Sequence, residues 1–278
     1  MDQPLPPGLY VVATPIGNLA DLSPRAAETL RRADRILAED KRVSARLLAH
    51  AGAKAPMSTY HDHTSAAERQ SIVARLGEQA IALISDAGTP LISDPGYKLV
   101  RAARAAGHAV HTVPGPSAAI AALTLAGLPT DRFLFVGFLP PRAKARADAI
   151  AEVTGVRATL VLYESGPRLG ETLEALAARL GPREAAVARE LTKLHEECVT
   201  GTLAELAERY ADNAPRGEIV IVVGPPAAGE AASEADLDAA LEEALAHLSP
   251  SRAAAEVAER FGVPRKRAYA RALKLAAR

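Results

Sequence analysis

Three segments rich in glycine, proline and small polar residues hold the groups best suited to bind a ligand. They span residues 13–19 (ATPIGNL), 85–96 (SDAGTPLISDPG) and 114–118 (PGPSA), and each follows an apolar run. Glycine lets backbone groups approach a ligand closely, and proline stiffens the loop that carries them. Ligands of open α/β sheets bind at the carboxyl ends of strands, so the pattern predicts a site built from these three loops.

The residue types of these loops restrict the class of ligand. The chain has no G-x-x-x-x-G-K-[ST] motif and no G-x-G-x-x-G motif after a strand. The second loop carries Asp86 and Asp94 and no Lys or Arg, which disfavours a pyrophosphate unless a metal intervenes. A cationic ligand with ribose hydroxyls suits these carboxylates better. S-adenosylmethionine has a sulfonium, an ammonium and a ribose but no phosphate, and the loops are compatible with it.

Composition limits the remaining possibilities. The 278 residues are enough for two or three domains, and 49% of them are hydrophobic, so a sizeable core can form. The formal net charge of zero gives no support for a nucleic-acid partner of the chain as a whole. The single cysteine, Cys198, fits a reducing compartment. Residues 1–7 lack the features of a secretion signal, and no apolar run approaches the ~20 residues that span a bilayer, so we expect a cytoplasmic protein.

The elements that position the loops follow from the alternation of apolar and amphipathic stretches. In residues 1–114, strands are predicted at 9–13, 35–38, 80–84 and 109–113. Helices are predicted from Ser23-Pro24 onward, over 65–76 and over 95–106. This alternation predicts an N-terminal α/β lobe with a mostly parallel sheet covered by helices.

A second α/β lobe is predicted at residues 115–225. Its strand signals fall at 133–136, 158–163, 185–189 and 218–223. The joint at Pro114-Gly115-Pro116 is short, so we expect two lobes that enclose a cleft.

The last part, residues 226–278, is predicted to be an acidic linker followed by a basic tail resembling a helix-turn-helix. Residues 230–247 carry six acidic side chains and no Lys or Arg, whereas six Lys or Arg and no acid follow from Pro264 onward. Helices are predicted over 249–260 and from 265 to the end, around a break at 262–264. The tail favours a polyanion, although a solvated helix or a dimer contact explains it equally well.

Eight segments in order resemble the tetrapyrrole methylase superfamily. Besides the three loops they are 38–42 (AEDKR), 60–63 (YHDH), 135–140 (FVGFLP), 162–165 (LYES) and 188–196 (ARELTKLHE). Within the superfamily, residues 8–224 and the basic tail resemble the bacterial small-subunit methyltransferase I family, which methylates the ribose 2′-hydroxyl of a cytidine in the decoding region of 16S rRNA. Lys41 stands where that family usually has Thr, and Gly166-Pro167-Arg168 replaces a Pro-His-Arg or Thr-His-Arg run.

The resemblance implies a two-lobed fold with a small C-terminal helical domain, S-adenosylmethionine as cofactor and a homodimer. The implied partner is the RNA of the small ribosomal subunit, with neither DNA nor a membrane involved. By position, the resemblance implies that seven residues contact the cofactor: Pro15, Asp86, Gly88, Thr89, Ser117, Ala118 and Tyr163. Tyr163 is expected to border the adenine. Expected RNA contacts are Lys41, Arg42, Arg265, Lys266 and Arg267.

Methyl transfer to a ribose hydroxyl needs an in-line approach to the methyl carbon, and a base or a nearby cation helps because the protonated hydroxyl is a poor nucleophile. We hypothesise that Glu164 and Lys193 activate the hydroxyl or hold the RNA, because both lie in segments that carry the resemblance. Further candidates are Glu190, His195 and Glu197. A helix would place Glu190, Lys193 and Glu197 on one face, whereas a strand would send Glu190 and Lys193 to opposite faces.

Three other functions and one metal site are alternatives to this hypothesis. A small-molecule methylase acting on a tetrapyrrole would not need the basic tail. A protein methylase of the diphthamide pathway would share the lobes, and a non-catalytic RNA-binding assembly factor would retain the fold. His61 and His63 share a face of an extended segment and invite a metal, but no third ligand is evident nearby, so no metal is predicted.

Overall fold

A parallel five-stranded sheet forms the centre of the first lobe. The computed structural model describes residues 4–226, 234–261, 263 and 265–276. The strands are β1 (Gly8–Val12), β2 (Arg35–Ala38), β3 (Met57–Thr59), β4 (Ala80–Leu83) and β5 (Val110–Val113). They lie in the order β3-β2-β4-β1-β5, and every neighbouring pair is parallel. The predicted parallel sheet is therefore confirmed, with β3 as a strand that the sequence pattern did not reveal.

Helices cover both faces of this sheet, which explains why its inner strands β1, β2 and β4 are mostly apolar and buried without alternation. The helices are α1 (Pro24–Arg32), α2 (Lys41–Ala51), α3 (Ala66–Arg75) and α4 (Tyr97–Ala105). Along β2, Ile36 and Ala38 pack in the cluster with α1 and α2, whereas Leu37 packs in the cluster with α3 and α4. Ser23 caps α1 by accepting a hydrogen bond from the Ala26 N–H at 3.1 Å.

The second lobe contains a five-stranded sheet of mostly antiparallel strands. They are β6 (Phe133–Phe138), β7 (Thr159–Ser165), β8 (Glu184–Arg189), β9 (Glu197–Thr202) and β10 (Glu218–Val223). Their order is β6-β7-β10-β8-β9, and only the β6–β7 pair is parallel. The helices are α5 (Ala118–Leu125), α6 (Ala143–Val153), α7 (Leu169–Leu180) and α8 (Leu203–Tyr210). Helices α6, α7 and α8 cover one face, and α5 covers the other, which faces the first lobe.

Three helices with their own core form the C-terminal unit. They are α9 (Glu234–Leu245), α10 (Pro250–Phe261) and α11 (Arg265–Ala276). Leu237 and Leu241, one helical turn apart, are buried against the alanine-rich faces of α10 and α11. The described part of the predicted acidic linker is therefore a helix, because this apolar pair packs against the two helices that follow. The remainder of that linker, residues 227–233, and Gly262 and Pro264 of the predicted break lie outside the described residues.

No helix in the described ranges is long and apolar enough to cross a membrane.

Candidate functional site

The three predicted loops converge because the strands that precede them are neighbours. Strand β1 lies between β4 and β5, so their carboxyl ends meet at one edge of the sheet. Thr14 and Gly88 exchange two backbone hydrogen bonds, of 2.8 and 3.1 Å, which tie the first loop to the second. The Thr89 hydroxyl donates to the Pro116 carbonyl at 3.0 Å and ties the second loop to the third. The loops thus form one rigid wall.

The backbone conformation and close packing at position 88 of this wall require glycine. Its φ of +77° lies in the left-handed region that side chains rarely adopt. A Cβ atom there would approach the Ile16 side chain to 3.3 Å and the Pro116 carbonyl oxygen to 3.7 Å. Glycine at this position therefore permits both the turn and the close packing of all three loops.

A cavity of about 470 Å³ lies between this wall and the second lobe. That volume is within the range of small-molecule and cofactor sites. Six of the residues that the resemblance implies as cofactor contacts line this cavity: Asp86, Gly88, Thr89, Ser117, Ala118 and Tyr163. Pro15 does not line it, but the next residue, Ile16, does. The structure therefore brings together six of the seven expected contacts, including Asp86 and Ser117, which are far apart in the sequence.

Tyr163 forms the aromatic part of the cavity lining. Its hydroxyl oxygen accepts a hydrogen bond from the Ala119 N–H at the start of α5, at 3.2 Å. The rings of Phe135 and Phe138 meet it edge-on, with centroids 5.0 and 5.6 Å away. Burial raises the pKa of the phenol, so Tyr163 stays neutral and presents a fixed, flat surface.

The cavity is strongly acidic. Its lining includes one ammonium group, Lys193, and five carboxyl groups: Glu39, Asp86, Asp94, Glu190 and Glu218. Burial raises the pKa of Glu39, and the negative charge of Asp86 adds to this rise. Burial also raises the pKa of Asp94 to about 6, with the charges of neighbouring carboxylates adding to the effect. Such mutual repulsion disfavours an anionic ligand and favours a cation.

Lys193 reaches the cavity from a turn between β8 and β9. Its Nζ atom lies 2.9 Å from a carboxylate oxygen of Glu190, which lowers the pKa of that carboxyl group. The side chain also covers Gly17 of the first loop, where a Cβ atom would come within 2.4 Å of the Lys193 Cε. Residues 190–196 form neither a helix nor a strand, since Glu190 and Thr192 have φ values of 50° and 67°. The segment is therefore a turn, and neither the helix nor the strand considered for it from the sequence is present.

Glu164 does not line the cavity, and the geometry does not support its hypothesised catalytic role. Adjacent strand residues point to opposite faces of a sheet, so Glu164 faces α7 while Tyr163 faces the cavity. Glu164 is fully buried and accepts hydrogen bonds from the Thr172 hydroxyl at 2.7 Å and the Ser165 N–H at 2.8 Å. Arg168 lies 3.4 Å from the same carboxylate. These contacts stabilise the β7–α7 connection.

Gly166, one of the two departures from the family pattern, has a structural explanation. A Cβ atom on this residue would lie 1.5 Å from the Pro215 carbonyl oxygen. The segment before β10 therefore occupies the space that a Pro or Thr side chain would need.

The expected RNA contacts fall into two separate groups. Lys41 and Arg42 are exposed in the first turn of α2, beside the cavity, since the Asp40 N–H donates to Asp86 at 3.0 Å. The Arg42 guanidinium is paired at 3.1 Å with the carboxylate of Asp40, the N-cap residue of α2. The second group belongs to the C-terminal unit and is exposed in the first turn of α11: Arg265, Lys266 and Arg267.

Two acids of the cavity, Glu39 and Glu218, were not among the sequence candidates. Glu39 directly follows β2, so its place at a strand end was a usable signal. Glu218 begins the antiparallel strand β10, opposite Ser165 of β7, and this pairing was not visible in the sequence. The rings of His61 and His63 are 6.1 Å apart. Within the described ranges, no group of three or more His, Cys, Asp or Glu side chains is arranged to hold a metal ion.

Comparison with known proteins places this site in a family. A sequence model described as tetrapyrrole (corrin/porphyrin) methylases matches residues 8–207, which cover the first lobe and the second lobe as far as α8. The chain belongs to the tetrapyrrole methylase family. A second model, described as the RsmI C-terminal HTH domain, matches residues 231–276 of the helical unit.

Curated relatives place this tetrapyrrole methylase more closely. The protein from Erythrobacter litoralis named ribosomal RNA small subunit methyltransferase I is 54% identical over 98% of this chain and 97% of its own length. A protein of the same name from Mesorhizobium japonicum is 49% identical over 98% and 94%. The resemblance found in the sequence is thereby confirmed. A solved diphthine synthase covers 78% of this chain and 89% of its own, with a TM-score of 0.61 and 16% identity, which confirms the fold.

Proposed function

We propose that this protein transfers the methyl group of S-adenosylmethionine to the RNA of the small ribosomal subunit. The observation that carries the proposal is the acid-lined cavity at the carboxyl ends of β4, β1 and β5. The names of relatives that match nearly the whole chain support the choice of substrate. The finer assignment rests on the resemblance: the acceptor is the ribose 2′-hydroxyl of a cytidine in the decoding region of 16S rRNA.

The residues of the cavity fit the proposed methyl donor. S-adenosylmethionine supplies a methyl group on a positively charged sulfur. The carboxylates of the lining suit its sulfonium and ammonium groups, and Tyr163 suits the adenine face. Helix α5 begins at the cavity without a side-chain cap; its Ala119 N–H bonds to Tyr163, and the neighbouring N–H groups of its first turn suit the methionine carboxylate. We propose that Asp86, Gly88, Thr89, Ser117, Ala118 and Tyr163 contact the donor and that Pro15 stiffens the first loop.

The cations around the cavity are proposed to hold the RNA. Lys193 lies inside the lining and is 40% exposed, so a phosphate or ribose entering the cavity can reach it. Lys41 and Arg42 stand at the edge, and the exposed cations of α11 add a second contact surface. A cation that neutralises phosphate also compensates for the acidic cavity, which would otherwise repel the RNA backbone.

We also propose that the protein acts in the cytoplasm as a homodimer. Exposed large apolar side chains on α5 and on the edge strand β6 support self-association through the second lobe: Ile120, Leu125, Phe133 and Leu134. Sedimentation at micromolar concentration tests this, and a monomer at all concentrations contradicts it.

The central experiment uses purified protein and S-adenosylmethionine labelled in its methyl group. Small ribosomal subunits lacking the modification and a tetrapyrrole precursor are offered in separate reactions. Label is expected in the 16S RNA, at a nucleotide whose 3′ phosphodiester resists alkali, since a methylated 2′-oxygen cannot attack the phosphate. Label in the tetrapyrrole contradicts the proposal. Label in neither, with no cofactor binding by calorimetry, favours a non-catalytic assembly factor.

A further inference from the structure

The second loop holds Asp94 in the cavity by a backbone path that its residues do not prefer. Leu91 and Ser93 have φ values of 75° and 64°, in the left-handed region that is costly for residues with a side chain. Gly96 has a φ of 137°, and a Cβ atom there would lie 2.8 Å from the Leu83 side chain. Backbone strain of this kind persists where the surrounding structure holds a segment in one conformation. Here the strained residues lie on both sides of Asp94 in the sequence.

The surroundings of Asp94 make it the cavity acid best able to take up a proton. The side chain is half-buried in the cavity that Glu39, Glu218 and Asp86 also line, and the negative charges of these three groups act on it. The Ser85 hydroxyl partly offsets their effect, and the net result is a pKa of about 6. A carboxylate with a pKa near the working pH is the type that serves in general acid–base catalysis.

Among the lining acids, burial raises the pKa of both Glu39 and Asp94, and the rise is the larger at Asp94. Asp86 accepts a hydrogen bond from the Asp40 N–H, and Glu190 is paired with Lys193. The ammonium group of Lys193 lowers the pKa of Glu190, so Glu190 suits the binding of a cation rather than proton transfer. Glu218 is exposed at the start of β10.

We propose that Asp94 is the catalytic base that removes the proton of the attacking hydroxyl during methyl transfer. This inference rests on the proposed function. Asp94 accepts the hydroxyl proton while the oxygen forms its bond to the methyl carbon and the carbon–sulfur bond breaks, its electron pair going to sulfur. The positive charge beside the carboxylates disappears in the same step. The affinity of Asp94 for a proton therefore rises as the proton arrives, and no further reactant is needed.

The test compares Asp94→Asn with the wild type and with Asp131→Asn, which alters an exposed aspartate outside the cavity lining. Calorimetry with S-adenosylhomocysteine, the reaction product, reports folding and cofactor binding without turnover. Single-turnover methylation of small subunits at saturating donor, measured from pH 5.5 to 9, reports the chemical step. Asp94→Asn is expected to bind the product within about threefold of wild type and to react about 100-fold more slowly or worse.

The pH profile separates a base from a residue that only shapes the cavity. The wild-type rate is expected to fall at acid pH as Asp94 becomes protonated, and Asp94→Asn is expected to lack this limb. Asp94→Glu is expected to recover part of the methylation rate and also the fall of that rate at acid pH.

Two results overturn the role of Asp94 while leaving the proposed function intact. One is an Asp94→Asn rate within threefold of wild type. The other is a large loss of product affinity with a normal rate at saturation, which would make Asp94 a donor-binding residue. If the wild type binds the product but methylates no RNA, the proposed function falls and this inference falls with it.

Discussion

Replacing Glu164 by glutamine separates a structural role from a catalytic one. Glutamine has the same shape but a single acceptor oxygen, so it cannot serve the Thr172 hydroxyl, the Ser165 N–H and Arg168 together. Hydrogen bonds that involve a charged group contribute roughly 1.5–3 kcal/mol each. Arg168 keeps its hydrogen bond to the Leu139 carbonyl at 2.7 Å and is 28% exposed, so its charge is not stranded.

We therefore expect Glu164→Gln to lower the free energy of unfolding by about 1–3 kcal/mol, less than the ~3–5 kcal/mol for breaking a fully buried ion pair. For a protein of this size class, each kcal/mol lowers Tm by roughly 2–4 °C. Scanning calorimetry of the variant and of Glu174→Gln, an exposed acid on the same helix, measures this difference. The methylation rate per folded molecule is expected to stay within twofold of wild type. A normal Tm with a rate reduced tenfold or more would refute the structural role and restore the catalytic one.

Four further predictions follow from the site and from the C-terminal unit. Lys193→Ala is expected to weaken RNA binding severalfold in a filter assay while leaving S-adenosylhomocysteine affinity nearly unchanged; an equal loss of both contradicts a role in holding RNA. Gly88→Ala forces a side chain into the left-handed region at a cost of about 1–2 kcal/mol, and calorimetry should show weaker product binding and a lower Tm. A normal affinity would mean that the loops adjust freely. Deleting residues 230–278 is expected to weaken RNA binding and flatten its dependence on salt, with cofactor affinity retained. Equal loss of both would make the C-terminal unit purely structural. Because folding raises the pKa of Asp94 from 3.8 to about 6, its contribution to stability is complete below pH 4 and is lost as pH rises through 6. Asp94→Asn should therefore unfold at a higher temperature than wild type at pH 8, and the difference should shrink toward pH 4; a lower Tm at pH 8 contradicts this.

The parts predicted well from the sequence are those in which a local pattern has one physical solution. The apolar run at 80–84 is too short for a helix and is bounded by turn residues, and it became β4. Ser65 and Glu68 form the reciprocal hydrogen bonds of a capping box at the start of α3, where a helix was predicted. The dense glycine and proline content of the three loops predicted the ligand-binding wall without any knowledge of the strand order.

The sequence was less informative where a local pattern admits several structures. Counting acids suggested a linker at 230–247, but Leu237 and Leu241 are enough to dock α9 onto the other two helices. Asp238 of α9 then pairs with Arg271 of α11 at 2.7 Å. Glu164 shares a motif with Tyr163, yet a strand sends neighbouring side chains to opposite faces, and only the packing of α7 decides which face is the interior.

The sequence by itself determined the family, the strand-ending loops and the chemical character of the second loop, because each depends on residue types that lie within a few positions of one another. Only the tertiary structure decided which acids share the cavity. Glu39, Asp94, Glu190 and Glu218 come from four distant parts of the chain and meet through the strand order of two sheets. The raised pKa of Asp94 has the same origin, since burial and the charges of distant neighbours exist only after the lobes have closed around the cavity.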